Sequence, residues 1–226
     1  MPSALVTGGS SGIGLAIARL LRDEGYDLTL AARKRDRLQA AAAELQAHAV
    51  QADVSREEDC ARLVESHRDA HGSLDVLVNS AGLGIAGTVA DTATKHFDLQ
   101  LGVNLRGTFL VTREALPLLR ERRGLVVNLA SIAGTVPTPG LAAYGAAKAA
   151  VIALTRTLVR EEASSGVRAT ALCPGFVDTP MAAWTGIAGE EMIQPEDCAE
   201  LVRALLRLSP HARVPLVVLE RAGDAV

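Results

Sequence analysis

The segment Tyr144-Gly-Ala-Ala-Lys148 places a phenol and an ammonium group four residues apart, so on a helix both side chains project from the same face. A free phenol titrates at about 10, and a positive charge beside it favours its ionised form. Ser131 lies thirteen residues upstream, where its hydroxyl could hydrogen-bond a substrate oxygen and hold it in line for proton transfer. Together the three residues predict acid–base chemistry on a carbonyl or an alcohol.

A glycine-rich run near the amino terminus, Thr7-Gly8-Gly9-Ser10-Ser11-Gly12-Ile13-Gly14, follows an apolar stretch and opens an amphipathic one. A pyrophosphate needs unobstructed backbone N–H groups and the positive end of a helix dipole, and Gly8, Gly12 and Gly14 supply these conditions. The spacing TGxxxGxG fails a strict match to the GxGxxG fingerprint. The position between a strand and a helix still predicts a dinucleotide site.

The end of the second predicted strand indicates which dinucleotide binds. An acidic residue there would accept hydrogen bonds from the adenosine ribose of NAD, but the chain has Ala32 followed by Arg33, Lys34 and Arg35. A guanidinium can pair a 2′-phosphate through two hydrogen bonds while it stacks on adenine. The sequence therefore favours NADP(H), with Arg33 and Lys34 at the phosphate. The alternative, a solvated helix start, would leave cations at the unfavourable end of a helix dipole.

Short β-branched runs alternate with longer segments whose apolar residues recur at helical spacing. Several of these runs are too uniformly apolar to have a solvated face, as in a buried parallel sheet. The predicted strands are Ala4–Thr7, Asp27–Ala32, Ala47–Ala52, Leu74–Asn79, Leu125–Leu129, Arg168–Leu172 and Pro215–Leu219, and the predicted helices are Gly12–Glu24, Arg35–Gln46, Glu57–Ala70, Lys95–Arg122, Ala142–Ser165 and Pro195–Arg207. The alternation predicts an α/β Rossmann fold, a doubly wound parallel sheet of about seven strands with helices on both faces.

Length and composition bound the class of protein. The 226 residues are 49% apolar and contain no linker rich in Pro, Gly or Ser, so residues 1–226 are expected to form one domain. A formal charge of −3 and an aromatic content of 3% argue against nucleic acid and against an anionic membrane as partners.

Targeting and cysteine patterns point to the cytoplasm. No apolar run approaches the length of a membrane span, and the amino terminus lacks the pattern of a signal segment, so we expect a cytoplasmic protein. Cys60, Cys173 and Cys198 have no CxxC spacing, which argues against a disulfide framework and a structural zinc site. We expect no metal site.

With these motifs, the chain resembles the short-chain dehydrogenase/reductases over essentially its whole length. The likeness is carried by the TGxxxGIG turn, by Asn79-Ser80-Ala81-Gly82 where the family usually has NNAG, by Asn104, Ser131, Tyr144 and Lys148, and by Pro174-Gly175 followed by Thr179. Ser80 replaces the second asparagine of the motif, which leaves Asn79, Ala81 and Gly82 for the cofactor.

The resemblance implies a catalytic tetrad of Asn104, Ser131, Tyr144 and Lys148, in which Asn104 binds a water that links Lys148 to solvent. It implies hydride transfer between the nicotinamide and a carbonyl carbon, with Tyr144 as acid and base. The residues expected to bind the cofactor are Gly8, Ser10, Ser11, Gly12, Ile13, Gly14, Arg33, Lys34, Asp53, Val54, Asn79, Ala81, Gly82, Tyr144, Lys148, Pro174, Gly175, Val177 and Thr179. Asp53 at the adenine edge rests on the resemblance alone, since a lone aspartate is more often a cap or turn residue.

The segment from Phe176 to about Gln194 occupies the place where the family sets its substrate preference. It is short and contains Met181 and Trp184, which suggests a small lid over an apolar pocket, although Trp184 could instead pack against its own domain. The resemblance to small NADP-dependent reductases and 3-hydroxy-acid dehydrogenases implies a small ketone, aldehyde or hydroxy acid as substrate. It also implies a homo-oligomer, a tetramer or a dimer.

Three other functions stay open. A non-catalytic NADP-binding sensor or scaffold would keep the fold, but such proteins generally lose the tyrosine or the lysine. An NAD-dependent alcohol dehydrogenase would use the same tetrad with the other cofactor. A sugar epimerase or dehydratase shares Tyr-xxx-Lys but needs a larger carboxy-terminal region than the one that follows Pro174.

Overall fold

Seven parallel strands form one sheet in the computed structural model, which describes residues 1–223. The strands are β1 Ser3–Thr7, β2 Asp27–Ala32, β3 His48–Gln51, β4 Val76–Asn79, β5 Leu125–Leu129, β6 Arg168–Pro174 and β7 Leu216–Leu219. Their order across the sheet is β3-β2-β1-β4-β5-β6-β7, and every adjacent pair is parallel. The predicted doubly wound Rossmann sheet is confirmed, with strand ends that differ from the prediction by up to two residues.

Helices cover both faces of the sheet. They are α1 Gly12–Asp23, α2 Arg35–Leu45, α3 Glu57–His71, α4 Thr94–Leu101, α5 Thr108–Arg122, α6 Ala142–Glu161 and α7 Pro195–Arg207, with 3-10 turns at Ile132–Gly134 and Gly189–Glu191. Buried residues of α1, α2 and α7 form one apolar cluster with the sheet, and those of α3, α5 and α6 contribute to a second on the other face. The strands between are buried on both sides, which explains their uniformly apolar sequences.

The direction of winding reverses between β1 and β4, which are adjacent in the sheet. In open α/β sheets, ligands bind outside the carboxyl ends of the strands at this switch point. The glycine-rich turn after β1 and the segment Asn79–Gly82 after β4 both lie at that position. The topology therefore brings together two of the segments that the sequence predicted to bind a cofactor.

The predicted helix Lys95–Arg122 is wrong in one detail, because a π-helical segment, Gly102–Gly107, separates α4 from α5. A side chain at Gly107 would have its Cβ 2.7 Å from Val54 Cγ2, so the glycine lets this part of the chain approach the loop after β3. Short π segments within helices occur mostly at functional sites. Here the segment contains Asn104.

The expectation that no apolar stretch has the length of a membrane span needs correction at α6. Among the described residues, this helix of 20 residues contains an 18-residue window with a mean hydropathy of 1.2 and would pass as a span by length and composition. Its buried face packs against β6, however, and it carries Lys148 into the interior of the molecule. The apolar composition of α6 is therefore explained by its place in the core.

Candidate active site

A cleft of about 190 Å³ opens at the carboxyl ends of β4, β5 and β6. Three groups of residues share its wall: parts of the glycine-rich turn and the segment after β4, the hydroxyl and ammonium residues of the predicted tetrad, and the segment after β6. In that order, they include Ile13, Ser80 and Gly82; Ser131, Tyr144 and Lys148; and Pro174, Gly175, Phe176, Val177, Thr179, Met181 and Trp184. The structure thus brings three of the four predicted tetrad residues to one place, together with the predicted nicotinamide-side residues Pro174, Gly175, Val177 and Thr179.

Lys148 is the buried cation of this site, only 5% exposed. Its Nζ donates a hydrogen bond of 2.6 Å to the backbone carbonyl of Leu129 and lies 5.6 Å from the centre of the Tyr144 ring. Burial lowers the pKa of Lys148 to about 8, because desolvation penalises the charged form. Lys148 can therefore exchange a proton within the range of pH in which enzymes work.

The side chains of Tyr144 and Ser131 lie next to each other on the wall of the cleft. Burial raises the pKa of the Tyr144 phenol above its ordinary value, and its hydrogen bond with Ser131 only partly offsets that effect. The sequence predicted the opposite direction, a pKa lowered by a nearby positive charge, and that prediction is wrong, since desolvation is the largest effect on the phenol. A protonated phenol at neutral pH suits Tyr144 as a proton donor.

Two glycines that sequence reasoning missed fix Ser131 against Tyr144. A Cβ at Gly134 would lie 2.7 Å from the backbone carbon of Lys148, and a Cβ at Gly145 would lie 2.8 Å from the carbonyl oxygen of Ala133. Any side chain at either position would push the 3-10 turn away from α6. The signal was present in the sequence, as a glycine three residues after Ser131 and another directly after Tyr144, but only the fold shows that the turn and the helix that carry them meet.

Ser131 itself caps this 3-10 turn. Its Oγ accepts a hydrogen bond of 3.2 Å from the N–H of Ala133, and its backbone is extended. The residue is 8% exposed, and its hydroxyl is part of the cleft wall. The cap fixes the serine side chain in one direction, beside the phenol of Tyr144.

Asn104 holds the loop after β4 in place. Its Oδ1 accepts from the N–H of Leu83 at 3.0 Å, and its Nδ2 donates to the carbonyl of the same residue at 2.8 Å. A Cβ at Gly82 would lie 3.0 Å from Asn104 Oδ1 and 3.6 Å from Lys148 Nζ, so the three residues meet around one point. The side chain of Asn104 thus supports the backbone that borders Lys148.

The glycine-rich turn contains three close approaches. A Cβ at Gly8 would lie 2.8 Å from the backbone of Ser80 and Ala81, and a Cβ at Gly14 would lie 2.5 Å from the carbonyl oxygen of Gly8. Gly12 has a φ of +53° and would meet the side chain of Thr179 at 3.0 Å. These glycines let the turn pack tightly and expose its backbone, as a pyrophosphate cradle requires.

The start of α1 has no protein anion of its own. Its first turn contains no acidic residue, and the N-cap residue Ser11 makes no side-chain capping hydrogen bond. Ser10 and Ser11 are half-buried and exposed, respectively. The positive end of this helix is therefore available to a phosphate group.

Arg33, Lys34 and Arg35 are exposed where α2 begins. Within residues 1–223, none of their side chains forms an ion pair, while Arg19, on neighbouring α1, pairs with Glu44 at 2.7 Å. The backbone carbonyl of Arg33 accepts from Gln51 Nε2 at 3.0 Å, which fixes the turn but leaves the guanidinium uncommitted. Three unpaired cations at the positive end of a helix fit an anionic ligand.

Asp53 closes a turn in the structure. Its Oδ1 accepts from the N–H of Ser55 at 3.0 Å and from the Ser55 hydroxyl at 2.7 Å. The following residue, Val54, is buried and packs beside Gly107. The turn arrangement matches the alternative that the sequence left open for Asp53, and contact with adenine stays a prediction.

Asn79 points into the protein interior. Its Nδ2 donates to Thr112 Oγ1 at 3.0 Å and to Asn128 Oδ1 at 2.8 Å, and Asn128 donates in turn to Thr155 Oγ1 at 2.9 Å. These buried hydrogen bonds join β4 and β5 to α5 and α6 beneath the cleft. The side chain of Asn79 therefore orders the floor of the site, and its backbone is the part that a cofactor could reach.

The segment after β6 is tied down at both ends. Gly175 donates its N–H to the carbonyl of Leu219 at 2.8 Å, and the Ile193 N–H donates to Phe176 at 3.0 Å. Between these anchors, Met181 is 44% exposed and Trp184 is 61% exposed. The Trp184 ring meets Phe176 edge to face at 6.4 Å, so it touches its own domain and still presents most of its surface to solvent.

The three cysteines form no disulfides, and one of them, Cys173, lies beside the site, where it affects the pKa of Tyr144 and of Lys148. Cys60, Cys173 and Cys198 are free and buried. Among residues 1–223, no three side chains of His, Cys, Asp or Glu converge as a group that could hold a metal ion.

Comparison with known proteins adds three findings. The family model described as short chain dehydrogenase matches residues 2–186. An uncharacterized oxidoreductase of Staphylococcus epidermidis is 37% identical over 219 residues, covering 96% of this chain and 95% of the relative, and one of Staphylococcus aureus is 37% identical over 215 residues, covering 93% of each. The X-ray structure of an alcohol dehydrogenase from the archaeon Thermococcus sibiricus, complexed with 5-hydroxy-NADP, superposes with a TM-score of 0.94 at 32% identity, covering 100% of this chain and 99% of that one.

Proposed function

The chain belongs to the short-chain dehydrogenase family and is an oxidoreductase, and from this premise we propose that it interconverts a carbonyl and an alcohol with NADP(H) as cofactor. The observation that carries the proposal is the meeting of Ser131, Tyr144 and Lys148 on the wall of one cleft, next to the glycine-rich turn. Each of the three groups has a role in such a reaction that its surroundings favour.

When bound, NADPH supplies a hydride to the carbonyl carbon. Tyr144 donates its proton to the carbonyl oxygen, and the Ser131 hydroxyl holds that oxygen by a hydrogen bond that strengthens as negative charge develops. The ammonium group of Lys148 lies 5.6 Å from the ring centre, where its charge stabilises the phenolate that Tyr144 leaves behind. A water held near Asn104 would return the proton through Lys148.

The residues present fit a dinucleotide. The close approaches at Gly8, Gly12 and Gly14 provide a backbone cradle for the pyrophosphate. Ser10, Ser11, Ile13, Asp53, Val54 and the backbone of Asn79–Gly82 would hold the rest of the adenosine half and the bridging part, and Pro174, Gly175, Val177 and Thr179 would hold the nicotinamide half together with Tyr144 and Lys148.

Preference for NADP over NAD rests on Arg33 and Lys34. Their side chains are exposed and lack ion pairs within residues 1–223, and Ala32 stands where an acidic residue would select NAD. The similar alcohol dehydrogenase of Thermococcus sibiricus, which was crystallised with an NADP derivative, supports the same choice. An enzyme that prefers NAD is the alternative, and direct comparison of the two cofactors decides between them.

A sensor or scaffold without chemistry is disfavoured, because the tyrosine and lysine are present and open onto a cleft. We further propose that residues 1–226 act as one domain, that residues 176–194 form its substrate lid, and that the enzyme is cytoplasmic. Assembly as a homotetramer or homodimer is supported by exposed apolar residues on the described surface, namely Phe97 and Leu99 of α4, Phe109 of α5 and Val218 of the edge strand β7.

The proposed function is tested by NADPH oxidation in the presence of ketones and aldehydes. We expect carbonyl-dependent loss of NADPH absorbance, and slower loss of NADH at equal concentration. Absence of turnover with every carbonyl tested, in a protein that still binds NADPH, would favour the sensor. Faster turnover with NADH would reverse the cofactor assignment.

A further inference from the structure

The wall of the cleft is almost without charge. Of the residues that line it, only Lys148 is ionisable in the neutral pH range, and its ammonium group already donates to the carbonyl of Leu129 at 2.6 Å. The polar side chains that remain are hydroxyls. Those of Ser131 and Tyr144 serve the reacting oxygen, and the others belong to Ser80, Thr138 and Thr179, of which Thr138 lies on the loop before α6.

The chain segments around the cleft contain acidic side chains and no basic ones. Three segments surround it: residues 80–93 after β4, residues 131–141 after β5 and residues 176–194 after β6. They contain four carboxylates, Asp91, Asp178, Glu190 and Glu191, and no lysine, arginine or histidine. None of these carboxylates lines the cleft, and none of the three segments supplies a cation to it.

The remainder of the wall is apolar. Ile132, Leu141, Phe176, Met181 and Trp184 face the cleft, and the last two are 44% and 61% exposed, respectively. A ligand that covered these side chains would remove apolar surface from water. A carboxylate in the same place would lose its hydration, and the one cation in the wall, Lys148, is the group whose charge the proposed reaction uses at Tyr144.

We propose that the substrate is an uncharged ketone with an apolar or aromatic substituent, and that hydroxy acids and keto acids are excluded. This inference rests on the proposed function, because it assigns a substrate class to the same cleft. It narrows the substrate classes that the sequence left open, because a 3-hydroxy acid would need a second cation in this wall to pair with its carboxylate. Trp184 and Met181 are assigned as specificity residues that contact the substituent.

The protein offers its own reporter, since Trp184 is its single tryptophan. The first experiment titrates the fluorescence of the cofactor-free protein with methyl 4-(1-hydroxyethyl)benzoate and with the corresponding carboxylate, which share one skeleton and differ in charge. We expect saturable binding of the ester with a Kd at least about tenfold lower than that of the acid, because burying an unpaired carboxylate is costly. Equal or tighter binding of the acid, or no saturable change with either compound, would overturn the inference.

A gain-of-function variant tests the reason for the exclusion. Thr138→Arg adds a guanidinium to the wall and should lower the Kd of the acid by about tenfold or more, since it supplies the missing ion-pair partner. Thr138→Gln is the matched control, because it lengthens the side chain without adding charge, and it should leave the ratio of the two Kd values unchanged. An equal shift in both variants would show that charge in the wall does not set the selectivity.

Turnover separates this inference from the proposed function. Methyl 4-acetylbenzoate and 4-acetylbenzoate are compared as substrates with NADPH, and we expect kcat/KM at least about tenfold higher for the ester. Preference for the acid would overturn the substrate class while leaving the reductase intact. Failure of both ketones to react, with the ester still binding tighter by fluorescence, would count against the proposed function and support the charge selectivity of the cleft.

Discussion

His67 and Lys148 are both buried titratable side chains, one near the amino ends of the strands and the other at their carboxyl ends. His67 is a residue of α3 and packs against β2 and the loop before β4. Its Nδ1 hydrogen-bonds Thr29 Oγ1 at 2.9 Å, and its Nε2 donates to the Ser73 carbonyl at 2.9 Å. Burial lowers the pKa of His67 to about 4 and that of Lys148 to about 8. For both residues, desolvation is the largest cause of the lowered pKa.

His67 and Lys148 differ in whether the side chains beside them open onto a cleft. Both nitrogens of His67 have protein partners, and the residue is 0% exposed. Lys148 is also satisfied, by Leu129, but its neighbours Tyr144 and Ser131 open onto a cleft. A buried ionisable group therefore indicates structure or function according to the access of its neighbours to a ligand, and a shifted pKa alone does not distinguish the two.

The largest expected effect is at Tyr144, at the carboxyl ends of the strands. Tyr144→Phe removes the proton donor, so carbonyl-dependent NADPH oxidation should fall by about a thousandfold, within the usual range for a general acid. The Kd for NADPH should change by less than about twofold, because the ring is retained. The matched control is Tyr26→Phe, at the only other tyrosine of the chain, which lies before β2 and should retain turnover. Residual turnover of Tyr144→Phe near that of the control would remove Tyr144 from the reaction.

The next effect concerns the cofactor. Arg33→Ala removes a guanidinium that has no ion pair within residues 1–223, so NADPH binding should weaken by about 10- to 100-fold, as expected for loss of charge-assisted hydrogen bonds. NADH binding should change by less than about twofold, since NADH lacks the 2′-phosphate. Calorimetric titration measures both, with Arg19→Ala as the control because Arg19 is paired with Glu44. Comparable losses for NADPH and NADH would remove the basis for NADP preference.

A smaller effect follows from the pKa of Lys148. Its lowered value of about 8 means that the ammonium group loses its proton as pH rises through 8. Because the charged form assists Tyr144, kcat/KM for carbonyl reduction should be level below pH 8 and fall by about tenfold per pH unit above it. The profile is measured from acid to alkaline pH with a neutral ketone and NADPH. A level profile through pH 10 would show that Lys148 keeps its charge or plays no part.

The smallest effect on turnover is expected at His67, near the amino ends of the strands. His67→Leu should leave kcat/KM within about twofold, while the free energy of unfolding falls by about 1–3 kcal/mol because Thr29 and Ser73 lose a partner. If this variant folds normally and still loses most of its activity, His67 contributes to function and does not differ from Lys148 in that respect. Urea unfolding and steady-state kinetics on the same preparation give both quantities.

His67 also predicts an acid dependence of stability. Desolvation lowers its folded pKa from 6.5 to about 4, and the nearby His71 and His48 add to the effect, with Asp75 opposing it. Neutral His67 therefore stabilises the fold fully above pH 6.5, and this stabilisation, on the order of 3 kcal/mol, is lost as pH falls from 6.5 to 4. In His67→Leu, this part of the pH dependence should disappear.

The sequence predicted the parts of the fold and site that depend on local pattern. Buried strands gave apolar runs, amphipathic helices gave apolar residues at regular spacing, and the Tyr144–Lys148 interval is a property of one helix. The π-helical segment at Gly102–Gly107 escaped prediction because it depends on the close approach of Gly107 to Val54, residues from distant parts of the chain.

The direction of the Tyr144 pKa and the roles of two glycines also depend on tertiary structure. The pattern showed the charge of Lys148 near the phenol but not how deeply the phenol is buried, and burial is the largest cause of the raised pKa of Tyr144. Gly134 and Gly145 became meaningful only when the 3-10 turn and α6 were seen to meet. Packing across distant segments is what a single sequence leaves unspecified.

We propose that this cleft transfers a hydride between NADP(H) and a carbonyl carbon. Isotope transfer shows this step itself: the protein is incubated with methyl 4-acetylbenzoate and with NADPH deuterated at C4 of the nicotinamide, in separate samples for each of the two faces. Mass spectrometry of the alcohol should show one deuterium from only one of the two labelled cofactors, with no labelled alcohol formed by Tyr144→Phe. An alcohol without label from either cofactor, or equal labelling in the variant, would contradict the account.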